Sequence, residues 1–193
     1  MNDFNKWTLI PLSTLLLMSV SHATSLYNEL GEENTDSFGI LFANIKKTLN
    51  AGSQKDVYVP VITWHNRYFY DNEHLQRYNE KPWGLGYGHS RQDNKNNWHA
   101  IYAMMFKDSF NQWEPFAGYA WESRWLPFAN RDVKLGVGFT LGVTARNNYN
   151  YIPMPAVLPL ASINYRQMTF QGTYIPGTRN NGNVFFGWLR WQI

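Results

Sequence analysis

The sequence predicts an all-β fold: an eight-stranded antiparallel transmembrane β-barrel preceded by an amphipathic helix. The first observation behind this is the stretch from Val133 to Ala145, V-K-L-G-V-G-F-T-L-G-V-T-A. Its alternate residues are all apolar, and between them lie Lys134, Gly136, Gly138, Thr140, Gly142 and Thr144. A soluble sandwich wants bulk on its core face, because close packing of apolar groups holds it together. A strand with large apolar side chains on one face and almost none on the other suits a wall between lipid and a lumen. The second observation is the nine Trp, twelve Tyr and twelve Phe, the material of interfacial aromatic girdles. The third is an alternation of long and short connections between successive strands, the loop asymmetry of outer-membrane barrels.

Taken in order, residues 1–23 read as a signal peptide. Lys6 precedes an apolar run from Trp7 to Val20, and Ser21-His22-Ala23 supplies small residues for cleavage. Pro11 and Ser13 break that run, which argues against a spanning helix. No later run is apolar enough to span as a helix, so a membrane crossing must use strands. Residues 24–56 form a polar segment and then one helix: Phe38, Leu41, Phe42, Ile45 and Leu49 recur at helical spacing, with Asp36 or Ser37 as cap and Lys46 and Lys47 near the end. That apolar face suits either a soluble core or a membrane surface.

Residues 57–193 supply the barrel. Expected strands are Val57 to Tyr68, Trp83 to Arg91, Trp98 to Lys107, Trp113 to Trp125, Val133 to Ala145, Leu158 to Tyr165, Met168 to Ile175 and Val184 to Ile193. Short turns fall at Asp93 to Asn97, Asn130 to Asp132 and Arg166-Gln167, so the longer connections all emerge on the other side. In the second strand Gly84, Gly86, Gly88 and Ser90 alternate with Trp83, Leu85, Tyr87 and His89; in the fourth, Phe116, Gly118, Ala120, Glu122 and Arg124 alternate with Ala117, Tyr119, Trp121, Ser123 and Trp125. Small barrels fill themselves with side chains, so glycines on three inner faces predict room for something slender. Glu122 and Arg124 fall toward the short-turn end, where a charged plug would close the lumen. In the last strand Phe185, Leu189, Trp191 and Ile193 face outward. Pro153, Pro155, Pro159 and Pro176 either end strands or open gaps in the wall, since proline cannot donate to a ladder.

The composition excludes several functions. Without cysteine there is neither a disulfide scaffold nor a thiolate nucleophile. The net charge of +3 is scattered and no basic stripe or RNA-binding signature appears, which argues against nucleic acid. The spacing of His74, His89 and His99 fits no metal site. The glycines have a period of two and no following helix, so they form no dinucleotide or phosphate loop. What remains is polar chemistry at the long-loop rim: His65 at the end of the first strand and Asp108-Ser109 after the third. Imidazole beside a hydroxyl is a general-base pair near neutral pH, although no Gly-x-Ser-x-Gly elbow is present. Arg146, Arg67, Arg77 and His99 suit phosphate binding or a hydrated rim.

Longer strings carry a resemblance: P-V-I-T-W-H (60–65), R-Y-N-E-K-P-W-G (77–84), N-W-H-A-I-Y-A-M-M-F-K-D-S-F (97–110), W-E-S (121–123) and the stretches 136–146, 151–162 and 174–183. They resemble the PagP family of outer-membrane lipid A palmitoyltransferases over residues 57–193 and the preceding helix. The resemblance implies a tilted barrel in the outer membrane with its helix on the periplasmic side. The implied reaction moves a palmitoyl chain from the sn-1 position of a glycerophospholipid to the hydroxyl of an N-linked hydroxyacyl chain of lipid A. It implies no cofactor and no metal, and a monomer is expected. The family's catalytic residues fall on His65, Asp108 and Ser109 at the cell-surface face, with His65 as base and Asp108 orienting it or balancing its charge. The acyl slot would have Gly84, Gly86, Gly88, Gly118, Gly136, Gly138 and Gly142 along its wall and Ala120 at its floor. Pro159 and Pro176 would flank lateral gaps, with Arg179 nearby, and His99 and Arg146 would meet lipid A headgroups. Two residues depart from the family pattern: Ala120 replaces a glycine, which predicts a slightly shorter or less strictly measured acyl donor, and Arg179 replaces a tyrosine. The alternatives are a non-enzymatic structural or lipid-binding barrel and a soluble lipid carrier.

Overall fold

The computed structural model describes residues 37–127 and 132–193. The expected signal peptide, the polar segment before Ser37, and Asn130 and Arg131 of one expected turn lie outside them. Two compact units meet in sequence at Ala43 and Asn44. Helix α1 (Ser37–Ala51) begins in the first and ends in the second.

The second unit is a closed barrel in which each strand pairs antiparallel with its sequence neighbours and the last with the first. The strands are β1 (Gln54–His65), β2 (Gly84–Gln92), β3 (Trp98–Lys107), β4 (Trp113–Trp125), β5 (Val133–Ala145), β6 (Pro153–Tyr165), β7 (Met168–Ile175) and β8 (Val184–Gln192). A short helix α2 (Asn72–Arg77), capped by the Asp71 carboxylate on the His74 N–H, and a 3-10 turn at Asn147–Tyr149 occupy two of the long connections. The eight strands and their long and short connections follow the sequence pattern. β1 sits about three residues earlier than expected, because its ladder with β8 ends at His65↔Val184. β6 begins at Pro153, five residues early, because its ladder with β5 runs on to Ala145↔Pro153.

The alternation places apolar side chains outward. Leu85, Met105, Val137, Val143, Val157 and Ile163 are exposed large hydrophobics on the outer wall, as a lipid-facing band requires. No described helix is long and apolar enough to cross a membrane. Helix α1 leaves Phe38, Phe42 and Leu49 exposed and buries Thr48. Within the second unit Arg91 on β2 donates to Thr48 Oγ1 (3.0 Å) and to Asn44 Oδ1 (2.7 Å), so this part of α1 meets the barrel through its polar side.

Inside, the lumen divides into two levels. Toward the short turns it is a polar plug. Glu122, fully buried, pairs with Arg124 at 2.7 Å and accepts from Gln171 at 2.8 Å. Arg190 of β8 pairs with Asp56 of β1 at 2.7 Å across the closing seam. The guanidiniums of Arg124 and Arg190 lie 4.8 and 4.6 Å from the ring of Trp98, an arrangement that the negative ring face favours. Toward the long loops the lumen is lined by Tyr102, Met104, Phe106, Phe116, Leu160 and Phe186.

The wall is incomplete at that level in two places. β6 pairs with β7 only from Leu160↔Thr173 to Tyr165↔Met168, leaving Pro153 to Pro159 in a backbone ladder with β5 alone, with the Thr173 hydroxyl donating to the Pro159 carbonyl (2.6 Å) at the edge of the gap. β1 pairs with β2 only as far as Tyr58↔Gly86. Prolines sit on these open edges, Pro159 on one and Pro60 on the other, where the missing N–H removes no ladder bond. Of the two readings of the prolines, the structure thus supports gaps for Pro159; Pro176 lies just past the end of β7.

Candidate active site

Two long connections, β1–β2 and β3–β4, converge on His65. As the last residue of β1 it is almost fully buried at 1% exposure. Its Nε2 lies 2.9 Å from Ser109 Oγ, and its Nδ1 lies 3.1 Å from Glu80 Oε1. Ser109 follows β3, whose pairing with β4 brings the Asp108–Gln112 turn to the same rim. The Asp108 carboxylate shapes that turn: Oδ1 accepts from the N–H groups of Phe110 (2.9 Å) and Gln112 (2.8 Å). Asp108 was expected to orient His65 or balance its charge. The contact at Nδ1 is instead made by Glu80, because the side chain of Asp108 turns back onto its own loop.

Glu80 arrives from the β1–β2 connection, which closes over the open edge of β1. Its carbonyl accepts from Thr63 N–H at 3.1 Å, and its Oε1 accepts from His65 N–H at 3.0 Å. Arg67 holds both carboxylate oxygens at 2.6 Å. The Arg67 hydrogen bonds, aided by those from His65 and opposed by partial burial, bring the Glu80 carboxyl down to about 2. Tyr78 and Tyr70 pack on the imidazole with centroids at 4.7 and 5.0 Å. Burial raises both phenols, Tyr70 to about 12, so they remain neutral.

A cavity of about 140 Å³ joins His65, Asp108 and Ser109 to Glu114 and Arg146. Arg146 Nε is 3.2 Å from Glu114 Oε2. Below it, sharing Phe106, Glu114, Arg146, Ile175 and Phe186, lies a largely apolar cavity of about 280 Å³. The second cavity touches Met154, Pro155, Ala156 and Leu158 on one edge of the β6–β7 gap and Thr173 and Ile175 on the other.

Several expected site residues are placed differently. None of the seven expected wall glycines lines this cavity. The space they leave is taken by neighbours: a Cβ on Gly118 or Gly142 would meet Phe116 Cζ at 3.0 or 2.7 Å, and one on Gly136 would meet Glu122 Oε2 at 3.1 Å. Gly84, Gly86 and Gly88 likewise accommodate Phe106, Met104 and Tyr102, and Gly138 lies against the backbone of Trp121 and Glu122. The glycines let large side chains lie flat on the wall, and those side chains form the lining. Ala120 is fully buried but lies outside the lining; the cavity ends on Tyr102, Thr140 and Trp188. His99 is at the opposite end from His65, because β3 starts there after a short turn. It faces outward, buried against Tyr119 OH (2.7 Å) and Asp93 Oδ2 (3.3 Å), and cannot share a headgroup with Arg146. Arg179 is exposed in the β7–β8 connection. Among the described residues no group of three His, Asp or Glu is placed to hold a metal ion.

The sequence reading missed Glu80 and the β1–β2 gap. Pro60 within a strand and Pro82 just before another were the available signals for the gap; nothing in the spacing of Glu80 pointed to His65.

The family described as "Antimicrobial peptide resistance and lipid A acylation protein PagP" matches residues 44–190. The chain is 64% identical over 151 residues to "Lipid A acyltransferase PagP" of Sodalis glossinidius, covering 78% of this chain and 79% of that protein. It is 53% identical over 198 residues to the protein of the same description in Serratia proteamaculans, covering 98% of this chain and 99% of that one. A closed eight-stranded barrel, a His–Ser pair at its rim and these matches lead to one conclusion: the chain belongs to the PagP family of lipid A acyltransferases.

Proposed function

We propose that the chain transfers a palmitoyl or similar fatty acyl chain from the sn-1 position of a glycerophospholipid to the hydroxyl of an N-linked hydroxyacyl chain of lipid A, with His65, Ser109 and Asp108 at the cell-surface face of the outer membrane. The observation that carries this reading is the contact of His65 Nε2 with Ser109 Oγ at 2.9 Å, in a polar mouth that leads into an apolar cavity reaching a gap in the wall. The apolar cavity receives the donor's acyl chain, and the gap at Pro159 gives it a lateral path. The acceptor hydroxyl attacks the sn-1 ester carbonyl as His65 takes its proton. The glycerol oxygen then leaves with that proton, so one ester bond forms as one breaks and the base is regenerated. Ester-for-ester exchange is close to isoenergetic and calls for no cofactor. Ser109 Oγ, at the reacting centre, donates to the developing oxyanion. Arg146 at the mouth suits a lipid phosphate, and the chain acts as a monomer.

The test is transfer of a labelled sn-1 chain from glycerophospholipid to lipid A by protein purified in detergent. Labelled lipid A is expected, with loss of about 10²- to 10⁴-fold in His65→Ala. No transfer by the parent protein favours a structural or lipid-binding barrel instead.

A further inference from the structure

We infer that Glu80 is the positioning residue for His65, fixing its ring and tautomer, while Asp108 acts through the loop that carries Ser109. This rests on the acyl-transfer reading for its consequence, but its geometry stands apart. Ser109 Oγ, His65 Nε2 and Nδ1, and Glu80 Oε1 form a continuous line with contacts of 2.9 and 3.1 Å. A ring held between a hydroxyl and a carboxylate is fixed at both nitrogens, so Nε2 is presented to the site where the acceptor hydroxyl is to lose its proton. The carboxylate at Nδ1 requires a hydrogen on that nitrogen, which leaves the Nε2 lone pair facing the hydroxyl.

Glu80 is well held for this purpose. The same Oε1 that meets the ring also accepts the His65 backbone N–H, so ring and backbone are fixed by one atom. Arg67 grips both carboxylate oxygens and donates to the His65 carbonyl at 2.9 Å. The guanidinium keeps Glu80 anionic, with its carboxyl at about 2. Asp108 has Oδ1 engaged by two backbone N–H groups of its own turn. Tyr70, Tyr78, Asp108, Glu114 and Arg146 are the other titratable groups lining the cavity with His65.

The experiment compares Glu80→Gln, Glu80→Asp and Asp108→Asn with the parent in the transfer assay, reading kcat, KM for the donor and the acid limb of the pH profile. Thermal unfolding confirms that each variant is folded. In Glu80→Gln the negative charge is lost and the amide has to turn its NH₂ either onto Arg67 or onto the His65 backbone N–H, so the grip that holds the imidazole is broken. A fall in kcat of more than about 100-fold is expected, with KM little changed and the acid limb moved to lower pH, since loss of the anion destabilises protonated His65. Glu80→Asp should restore at least about tenfold over the Gln variant. A kcat for Glu80→Gln within about threefold of the parent, with an unmoved acid limb, overturns the inference, as does an acid limb that moves in Asp108→Asn alone. Nitrogen chemical shifts of the His65 ring in the parent give a separate reading: the Nδ1–H form is expected above the titration, and the Nε2–H form overturns the assignment. A parent without transfer activity defeats the acyl-transfer reading and leaves the ring measurement to decide the role of Glu80.

Discussion

Tyr102 and Thr140 share a hydrogen bond of 2.9 Å that spans β4 from β3 to β5 inside the barrel. In the ladders Tyr102 is level with Gly118, and Thr140 with Ala120, so the bond runs obliquely across one inward step of the wall. Both residues line the apolar cavity and Ala120 does not. The end of the apolar cavity is therefore a hydrogen-bonded bar over Ala120, and if an acyl chain fills the cavity as proposed, the methyl of Ala120 acts on it only through that bar.

That placement orders two substitutions. Tyr102→Phe removes the bar's hydroxyl and deepens the cavity, so lipid A made by this variant should carry longer acyl chains as read by mass spectrometry. Ala120→Gly should change the distribution less, because the space it opens lies beneath the bar. A larger shift in Ala120→Gly would return the floor to residue 120.

Asp108→Ala leaves the N–H groups of Phe110 and Gln112 without their acceptor. The cost in stability should be about 1–3 kcal/mol, read from denaturant unfolding in lipid vesicles. The turn that presents Ser109 loosens with it, so kcat falls while the acid limb set by His65 stays in place.

Arg190→Met strips Asp56 of its ion-pair partner in a fully buried site. Removing one member of such a pair costs about 3–5 kcal/mol, whereas replacing both by apolar groups is often close to neutral. Arg190→Met should accordingly unfold at much lower denaturant than the parent, and Asp56→Leu combined with it should recover most of the loss.

The β1–β2 connection over His65 should loosen in acid. Asp71 is lowered to about 2 by the backbone and side-chain hydrogen bonds of His74, and Glu80 to about 2 chiefly by Arg67. Unfolded carboxyls titrate near 4, so the folded loop is favoured fully above about pH 4 and loses that support as the pH falls toward 2. Amide resonances of residues 66–82 in micelles should move in that window. Movement confined to pH above 5 would contradict this.

Much of the architecture could be read from periodicity. The alternation from Val133 to Ala145 requires one bulky and one small face, and the structure keeps both. Loop lengths alone put His65, Asp108 and Ser109 on one rim, and the same topology, followed through, sends His99 to the other. Filling of the lumen was not legible. Whether Gly118 and Gly142 leave a void depends on the rotamer of Phe116, which no spacing encodes. Glu80 lies in an irregular connection, and its meeting with His65 depends on how that loop folds over an unpaired strand edge.

The two interrupted ladders divide the upper barrel into panels: β2 to β6 on one side, and β7, β8 and β1 on the other. His65 belongs to the smaller panel and Ser109 to the larger. Their 2.9 Å contact bridges the β1–β2 seam and is a gauge of wall closure. On the proposed function a lipid passes between panels, and any splaying that admits it would lengthen this contact and part His65 from Ser109 until the panels close.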